Sequence, residues 1–230
     1  ILNQCESPQA LADAGWIARQ TNNVYDQVLA CSLQTPGAPV VARFERTAAV
    51  ILAAGEGSRF GELKQLLPLR DKPLVRLAAE IALLAGCHPV VVVCGYEAEK
   101  VESALADLPV KCVCNQIWRE GQGSSVAAGA RAIQGLGCGA AIYMLADQPL
   151  DDPLLLTALM EAHAQGRGMI ICPDYDGQRG TPTLFDAAYF DELAALAGEA
   201  GGSQVMKSRP LTRLPWLNEA AVKDIDTPED

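Results

Sequence analysis

The chain has 230 residues, half of them apolar, and a net charge of −10 at neutral pH, so it is long enough to bury a full core in one or two domains and lacks the basic face that a nucleic-acid surface needs. No stretch approaches the roughly 18 apolar residues of a membrane span, so a soluble globular protein is expected, with no nucleic acid and no membrane as partner. The eight cysteines (5, 31, 87, 94, 112, 114, 138 and 172) form no C-x-x-C pair, only Cys112-x-Cys114, which is not zinc spacing; with no secretory signal visible, reduced thiols and a cytoplasmic location are expected.

Residues 1 to 46 read as ILNQ in a strand, a helix over 8–20, a second strand in YDQVLACSL at 25–33, and a TPGAP turn before VVARFER. This segment is either an N-terminal extension packed on the main sheet or the end of an upstream α/β domain. Because the first residue is Ile1 and not Met, an upstream part is expected to have been removed. The main domain is placed at 47–230.

The apolar run AAVILAA at 48–54 predicts a buried strand, and it leads directly into glycines at 55, 57 and 61. Glycines after a strand let backbone N–H groups approach a ligand closely, and such a loop suits an anion. Arg59 and Lys64 add a planar fork and a point charge, both suited to phosphate oxygens. The loop lacks the Lys-Ser/Thr pair of a P-loop, and no acidic residue closes a second strand about 20 residues on, as a dinucleotide-binding fold requires.

Downstream, strand and helix alternate. PLVRLAAEIALLAG at 73–86 is an amphipathic helix with a proline near its start and a glycine stop. A strand PVVVVCG at 89–95, a helix over 97–106, a strand PVKCVCN at 109–115 and a helix over 124–135 follow. Next come a strand AAIYMLAD at 140–147, a helix over 152–165 and a strand MIICP at 169–173. Continuous Val/Ile-rich strands separated by helices imply an α/β fold: a Rossmann-like, mostly parallel sheet between two helical layers, three layers in all. Ligands gather at the carboxyl ends of such strands, where the glycine loop, Gly95, Asn115 and Asp147 all fall.

Asp147 ends an apolar strand and precedes Gln148-Pro149, so its carboxylate is a candidate Mg²⁺ ligand of the kind completed by substrate phosphates. The alternative is a cap for the helix after Pro153, a task for which Asp151 and Asp152 are better placed. Ser124 and Ser125 at a helix start either bind an anion or cap the helix. Trp118 is either a stacking surface or packing, and His88 and His163 belong to no recognisable site.

LAAG-x-G-S-R-F-G-x-x-K-Q-L-L at 52–67 resembles the signature of the MobA-like nucleotidyltransferases, and within that family the molybdenum cofactor cytidylyltransferases. NQIWREGQGSSVAAG at 115–129, LADQP at 145–149, RGTPTLF at 179–185 and DIDTPED at 224–230 resemble four further family motifs in the same order. The resemblance covers residues 48 to 230 and implies the nucleotide-diphospho-sugar transferase type of sheet. It implies transfer of CMP from CTP to the phosphate of a molybdopterin-type cofactor, with Mg²⁺ required and pyrophosphate released.

In the roles the resemblance implies, the loop amides of Gly55, Gly57, Ser58 and Gly61, with Arg59, hold the triphosphate, and Lys64 neutralises charge near the attacked phosphorus. The base lies against Leu52, Ala53 and Ala54, near Gly95 and Asn115, whose amide can both donate and accept. Asp147 holds the metal, with a second contact from Asp224 or Asp226. Ala54, where guanylyl-transferring relatives carry Gly, resembles the cytidylyl branch.

Two departures bear on the acceptor. The family's RGHP block reads Arg179-Gly180-Thr181-Pro182, losing an imidazole, and its Gly-Asp-x-Gly-Ala-Arg segment reads Gly198-Glu199-Ala200-Gly201-Gly202-Ser203, losing an Arg. Guanylyl or sugar-phosphate transfer, or a non-catalytic molybdenum cofactor carrier, are the alternatives. A molybdenum hydroxylase or its maturation factor is the partner the resemblance suggests.

Overall fold

A computed structural model describes residues 2, 7–21, 24–25, 27–31, 40–56, 63–148 and 152–217. In chain order the elements are α1 (Pro8–Gln20), β1 (Gln27–Cys31), β2 (Val40–Glu45), β3 (Thr47–Ala53), β4 (Pro68–Leu69), β5 (Lys72–Pro73), α2 (Leu74–Leu84), β6 (Val90–Cys94), α3 (Ala98–Ser103) and β7 (Lys111–Cys114). Then follow α4 (Gln122–Ile133), β8 (Ala140–Leu145), α5 (Pro153–Ala164), β9 (Ile170–Tyr175), β10 (Gln178–Arg179), β11 (Thr183–Asp186), α6 (Phe190–Ala194), α7 (Ser203–Lys207) and β12 (Thr212–Pro215).

The central sheet has the order β7-β6-β3-β8-β11-β9-β10, with β12 paired to β9. Strands β7, β6, β3 and β8 are mutually parallel, as is β12 to β9; β10 and β11 run antiparallel to their neighbours. The fold is thus α/β with a mostly parallel sheet, as the strand and helix alternation implies.

The two-residue alternation of side chains divides each central strand between two cores. Ala49, Ile51 and Ala53 of β3, with Val90, Val92 and Cys94 of β6, face α2, α3 and α5. Ala48 and Val50, with Val91, Val93, Ala141 and Tyr143, face α4 and α6. Strands covered on both faces have no polar side, which is why β6 reads VVVVC and is buried at every position.

Helix α4 lies unusually close to this sheet. A Cβ at Gly129 would sit 2.3 Å from Cγ1 of Val50, on the middle of the sheet. Gly129→Ala gains helix propensity of up to about 1 kcal/mol but overpacks the interface at a cost of roughly 1–3 kcal/mol. A net loss of stability is expected, read as a lower midpoint in chemical denaturation with an unchanged slope. An equal or higher midpoint would show that the helix shifts freely.

Element ends moved by a few residues. The helix expected over 124–135 is Gln122–Ile133, starting directly after Gly121, which adopts φ 116°. The helix expected over 97–106 is Ala98–Ser103, and it begins after Glu97, which is left-handed at φ 47°. Helix α5 is capped by Asp152, whose carboxylate accepts from the Leu154 N–H at 2.8 Å, leaving Asp147 without that task.

The N-terminal segment forms its own small layer. Strands β1 and β2 pair antiparallel in a separate two-stranded sheet, with Leu2 bridging to Ala30. Helix α1 is capped by Ser7, whose hydroxyl accepts from the Ala10 N–H. Ala14, Ala18, Ala42 and Phe44 pack with Ala164 of α5, and Arg19 donates to Glu161 at 3.0 Å. Among the described residues this layer docks on α5 and does not join the central sheet. Among the described residues no helix is long and apolar enough to cross a membrane.

Candidate active site

The chain passes from β3 through α2 to β6 and through α3 to β7 on one side of β3. It then crosses through α4 to β8 on the other side. Beyond the paired ends of β3 and β8 the connections leave in opposite directions, which opens a crevice at the topological switch point. Leu52 pairs with Leu145, and the Ala146 N–H donates to the Leu52 carbonyl at 3.1 Å. A cavity of about 790 Å³ opens above them, lined by Leu52 to Glu56 on one side and Leu145 to Asp147 on the other.

Across this opening the Lys64 ammonium donates to Oδ2 of Asp147 at 2.9 Å, with Lys64 13 % and Asp147 34 % exposed. The pair joins the turn after the glycine loop to the end of β8, bringing together two predicted residues 83 positions apart. Gln65, adjacent to Lys64, is buried; its amide donates to the carbonyls of Ala53 and Gly55 at 3.2 and 3.1 Å. It ties the start of the loop to the turn that carries Lys64. Sequence reasoning passed over this residue, although it stands inside the quoted K-Q-L-L signature.

The third wall is the approach to α4: Trp118, Arg119, Gly121, Gln122 and Ser125. Trp118 both lines the cavity and packs, with Tyr96 at 5.7 Å and the Arg119 guanidinium 4.5 Å from its ring centre. Glu199 reaches the cavity because two glycines allow two loops to interlock. The Gly123 N–H donates to the Gly198 carbonyl at 2.8 Å, and a Cβ at Gly121 would lie 2.4 Å from that same oxygen. No local pattern in the sequence announces this contact.

The remaining predicted residues fall into three groups. Leu52, Ala53, Ala54, Gly55 and Ser125 line the cavity beside Lys64 and Asp147. Gly95, Asn115 and Ser124 are not in its lining. The Asn115 amide is buried and donates to the hydroxyls of Ser124 and Ser125 at 2.9 and 3.1 Å, while its oxygen accepts from the Ile117 N–H. It therefore braces the β7–α4 connection. Ser124 stands inside the first turn of α4 and donates to the Gly121 carbonyl at 2.8 Å, so it is not the cap that its position suggested. Gly95 serves close packing, since a Cβ there would be 2.6 Å from the Ala54 carbonyl. Gly57, Ser58, Arg59 and Gly61 of the loop, and Asp224 and Asp226, lie outside the described residues.

Electrostatics constrain what can enter. Among the described lining residues Glu56, Asp147 and Glu199 are acidic and Lys64 and Arg119 basic, three negative charges against two positive. A polyphosphate needs further positive charge here. A divalent cation fits: Asp147 offers a hard, partly exposed oxygen donor set, and Mg²⁺ sites use one or two carboxylates completed by phosphate oxygens and water. No cluster of three potential metal ligands occurs among the described residues, so an all-protein metal cage does not form there.

A second cavity, of about 350 Å³, adjoins the first and shares Leu52, Gln122 and Leu145 with it. Both departures noted in the sequence meet here: Arg179, Gly180 and Thr181 from one segment, Gly202 and Ser203 from the other. The Thr181 hydroxyl donates to the side-chain oxygen of Gln148. His163 lines neither cavity and pairs with Asp186 at 2.8 Å.

Residues 49–214 match the model of the MobA-like NTP transferase domain. The chain belongs to the MobA-like NTP transferase family. Within the curated proteins, a MobA-like chain of this kind is similar to nicotine blue oxidoreductase of Paenarthrobacter nicotinovorans, 35 % identical over 78 % of this chain and 92 % of that protein. It is also similar to the purine catabolism protein PucB of Bacillus subtilis, 29 % identical over 79 % of this chain and 92 % of that one. Among solved structures, Rv0371c of Mycobacterium tuberculosis superposes with a TM-score of 0.71 at 28 % identity, covering 80 % of this chain and 94 % of that one. A second structure of Rv0371c, 25 % identical with a TM-score of 0.63 over 75 % of this chain and 89 % of that one, is a complex with manganese. The MobA-like model ends before residue 215 and starts at β3, so the α1–β1–β2 layer falls outside it.

Proposed function

We propose that this MobA-like transferase moves CMP from CTP onto the phosphate of a molybdopterin-type cofactor, releasing pyrophosphate. The observation that carries the reading is the joined pair of cavities at the switch point, one spanned by Lys64 and Asp147 and the other lined by residues 179–181 and 202–203. The first has the volume for a nucleotide, and the second adjoins it, where this reading puts the acceptor.

In this reading an acceptor phosphate oxygen attacks the α-phosphorus in line, a new P–O bond forms, and the bond to the bridging oxygen of pyrophosphate breaks. The chain supplies position and charge. Leu52, Ala53 and Ala54 pack against the base, and a Cβ at Gly55 would meet nothing within 4 Å among the described residues, so its backbone can approach the triphosphate. Lys64 neutralises charge building on the attacked phosphate, and Arg59 with Gly57, Ser58 and Gly61 would hold the β- and γ-phosphates. When bound, Mg²⁺ would be held by Asp147, with Asp226 or Asp224 as second carboxylate, and would draw negative charge from the phosphates. The manganese complex of Rv0371c supports a divalent cation in this family. Residues 47–230 form the transferase domain in this reading, and residues 1–46 an N-terminal extension whose α1–β1–β2 layer packs on α5. The product would pass to a molybdenum hydroxylase or its maturation factor.

The deciding experiment is pyrophosphate release with Mg²⁺ and molybdopterin cofactor, comparing CTP, GTP, ATP and UTP. Turnover with CTP alone is expected. Turnover with GTP alone would replace cytidylyl by guanylyl transfer, and nucleotide binding without pyrophosphate would make the protein a carrier or assign it another acceptor.

A further inference from the structure

Tyr143 sits on β8 with its ring edge-on to Phe185, centres 5.6 Å apart at 89°, and both residues line the second cavity. The residue is 7 % exposed, and its hydroxyl is the buried side-chain oxygen left without a hydrogen-bond partner among the described residues. Burial pushes the phenol pKa above its ordinary value, so it is a neutral donor at physiological pH. A buried donor with no partner costs stability, whereas a phenylalanine of the same shape would fill the space without that loss. Retaining a hydroxyl there is explained by a ligand that uses it.

The rest of the cavity says what kind. Leu52, Val126, Leu145 and Met206 make its walls apolar, and Arg179 stands exposed among its lining residues. A slot with aromatic and aliphatic walls, one buried donor and a cation suits a flat heteroaromatic ring with an anionic tail. We infer that Tyr143 is a specificity-determining residue of the acceptor subsite, donating a hydrogen bond to a ring nitrogen or carbonyl of a planar bicyclic heterocycle while Arg179 faces its anionic group. The inference rests on the reading of the second cavity as the acceptor site.

The test uses the full chain and the intrinsic fluorescence of 6-carboxypterin, titrated with wild type, Tyr143→Phe and Ser203→Phe. The last variant places a ring at an exposed position of the cavity mouth. Tyr143→Phe is expected to weaken probe binding about tenfold or more, the scale for a site that loses a buried hydrogen bond to its ligand. Its thermal midpoint should be equal to or above wild type, because an unpartnered hydroxyl has been removed. Binding of 2-naphthoate, which has no ring heteroatom, should not differ between the two. Ser203→Phe should weaken both probes. Equal affinity of wild type and Tyr143→Phe for the pterin, or no pterin binding by wild type, overturns the inference. CTP and Mg²⁺ binding is measured separately by calorimetry: Tyr143-dependent pterin binding without nucleotide binding keeps this inference and sinks the transferase reading, and the converse sinks only this inference.

Discussion

Asp147→Ala is expected to remove Mg²⁺-dependent pyrophosphate release by a factor on the order of 10² to 10³, the scale for losing one preorganised charge contact at a reacting centre. The carboxylate is one-third exposed at the end of β8 and caps no helix, since Asp152 has that task. Its removal should therefore leave the sheet intact. It also removes the carboxylate to which the Lys64 ammonium, only 13 % exposed, donates. Asp147→Asn separates the two effects, because the amide oxygen still accepts from Lys64 while the charge is gone. Both variants should lose turnover, and Asp147→Asn should unfold at the wild-type temperature. Activity near wild type in Asp147→Asn would remove this carboxylate from metal binding.

Lys64→Ala should lower kcat/KM by a factor of about 10² or more, since its charge is held at a fixed place beside the cavity and not on a solvated surface arm. Steady-state pyrophosphate release with CTP varied measures it. The Lys64 and Asp147 side chains touch, so their effects should not add: the double variant should be only slightly slower than the worse single one. Additive losses would mean that the two residues act on separate steps. A neutral Lys64→Ala would favour a carrier that binds nucleotide without transferring it.

Much of this arrangement was legible in the chain because it is written in short-range pattern. The buried run at 48–54, the VVVV of β6 and the alternation of strand with helix follow from side-chain periodicity and burial on both faces, which local sequence records. Lys64, beside the glycine loop, and Asp147, just past a strand end, were legible as separate candidates from local sequence. That they form one ion pair depends on β8 returning to the side of β3 opposite β6, which no local pattern specifies.

Tertiary structure also decided the roles of residues whose chemistry admits several. Asn115 can meet a base edge as readily as two serines, and only the approach of α4 commits its amide to Ser124 and Ser125. Gly121 and Gly198 read as ordinary turn residues until their loops interlock and bring Glu199 to one cavity and Ser203 to the other. Tyr143 reads as one more apolar position of a strand. Its hydroxyl is left unpartnered among the described residues because of what packs around it, and whether a buried polar group finds a partner is settled by neighbours distant in sequence. By itself the sequence determined which segments are strands, which are helices and which loop carries glycine and charge, because those depend on near neighbours. The assembled fold determined which candidate residues share a cavity, because that depends on the order of strands in the sheet.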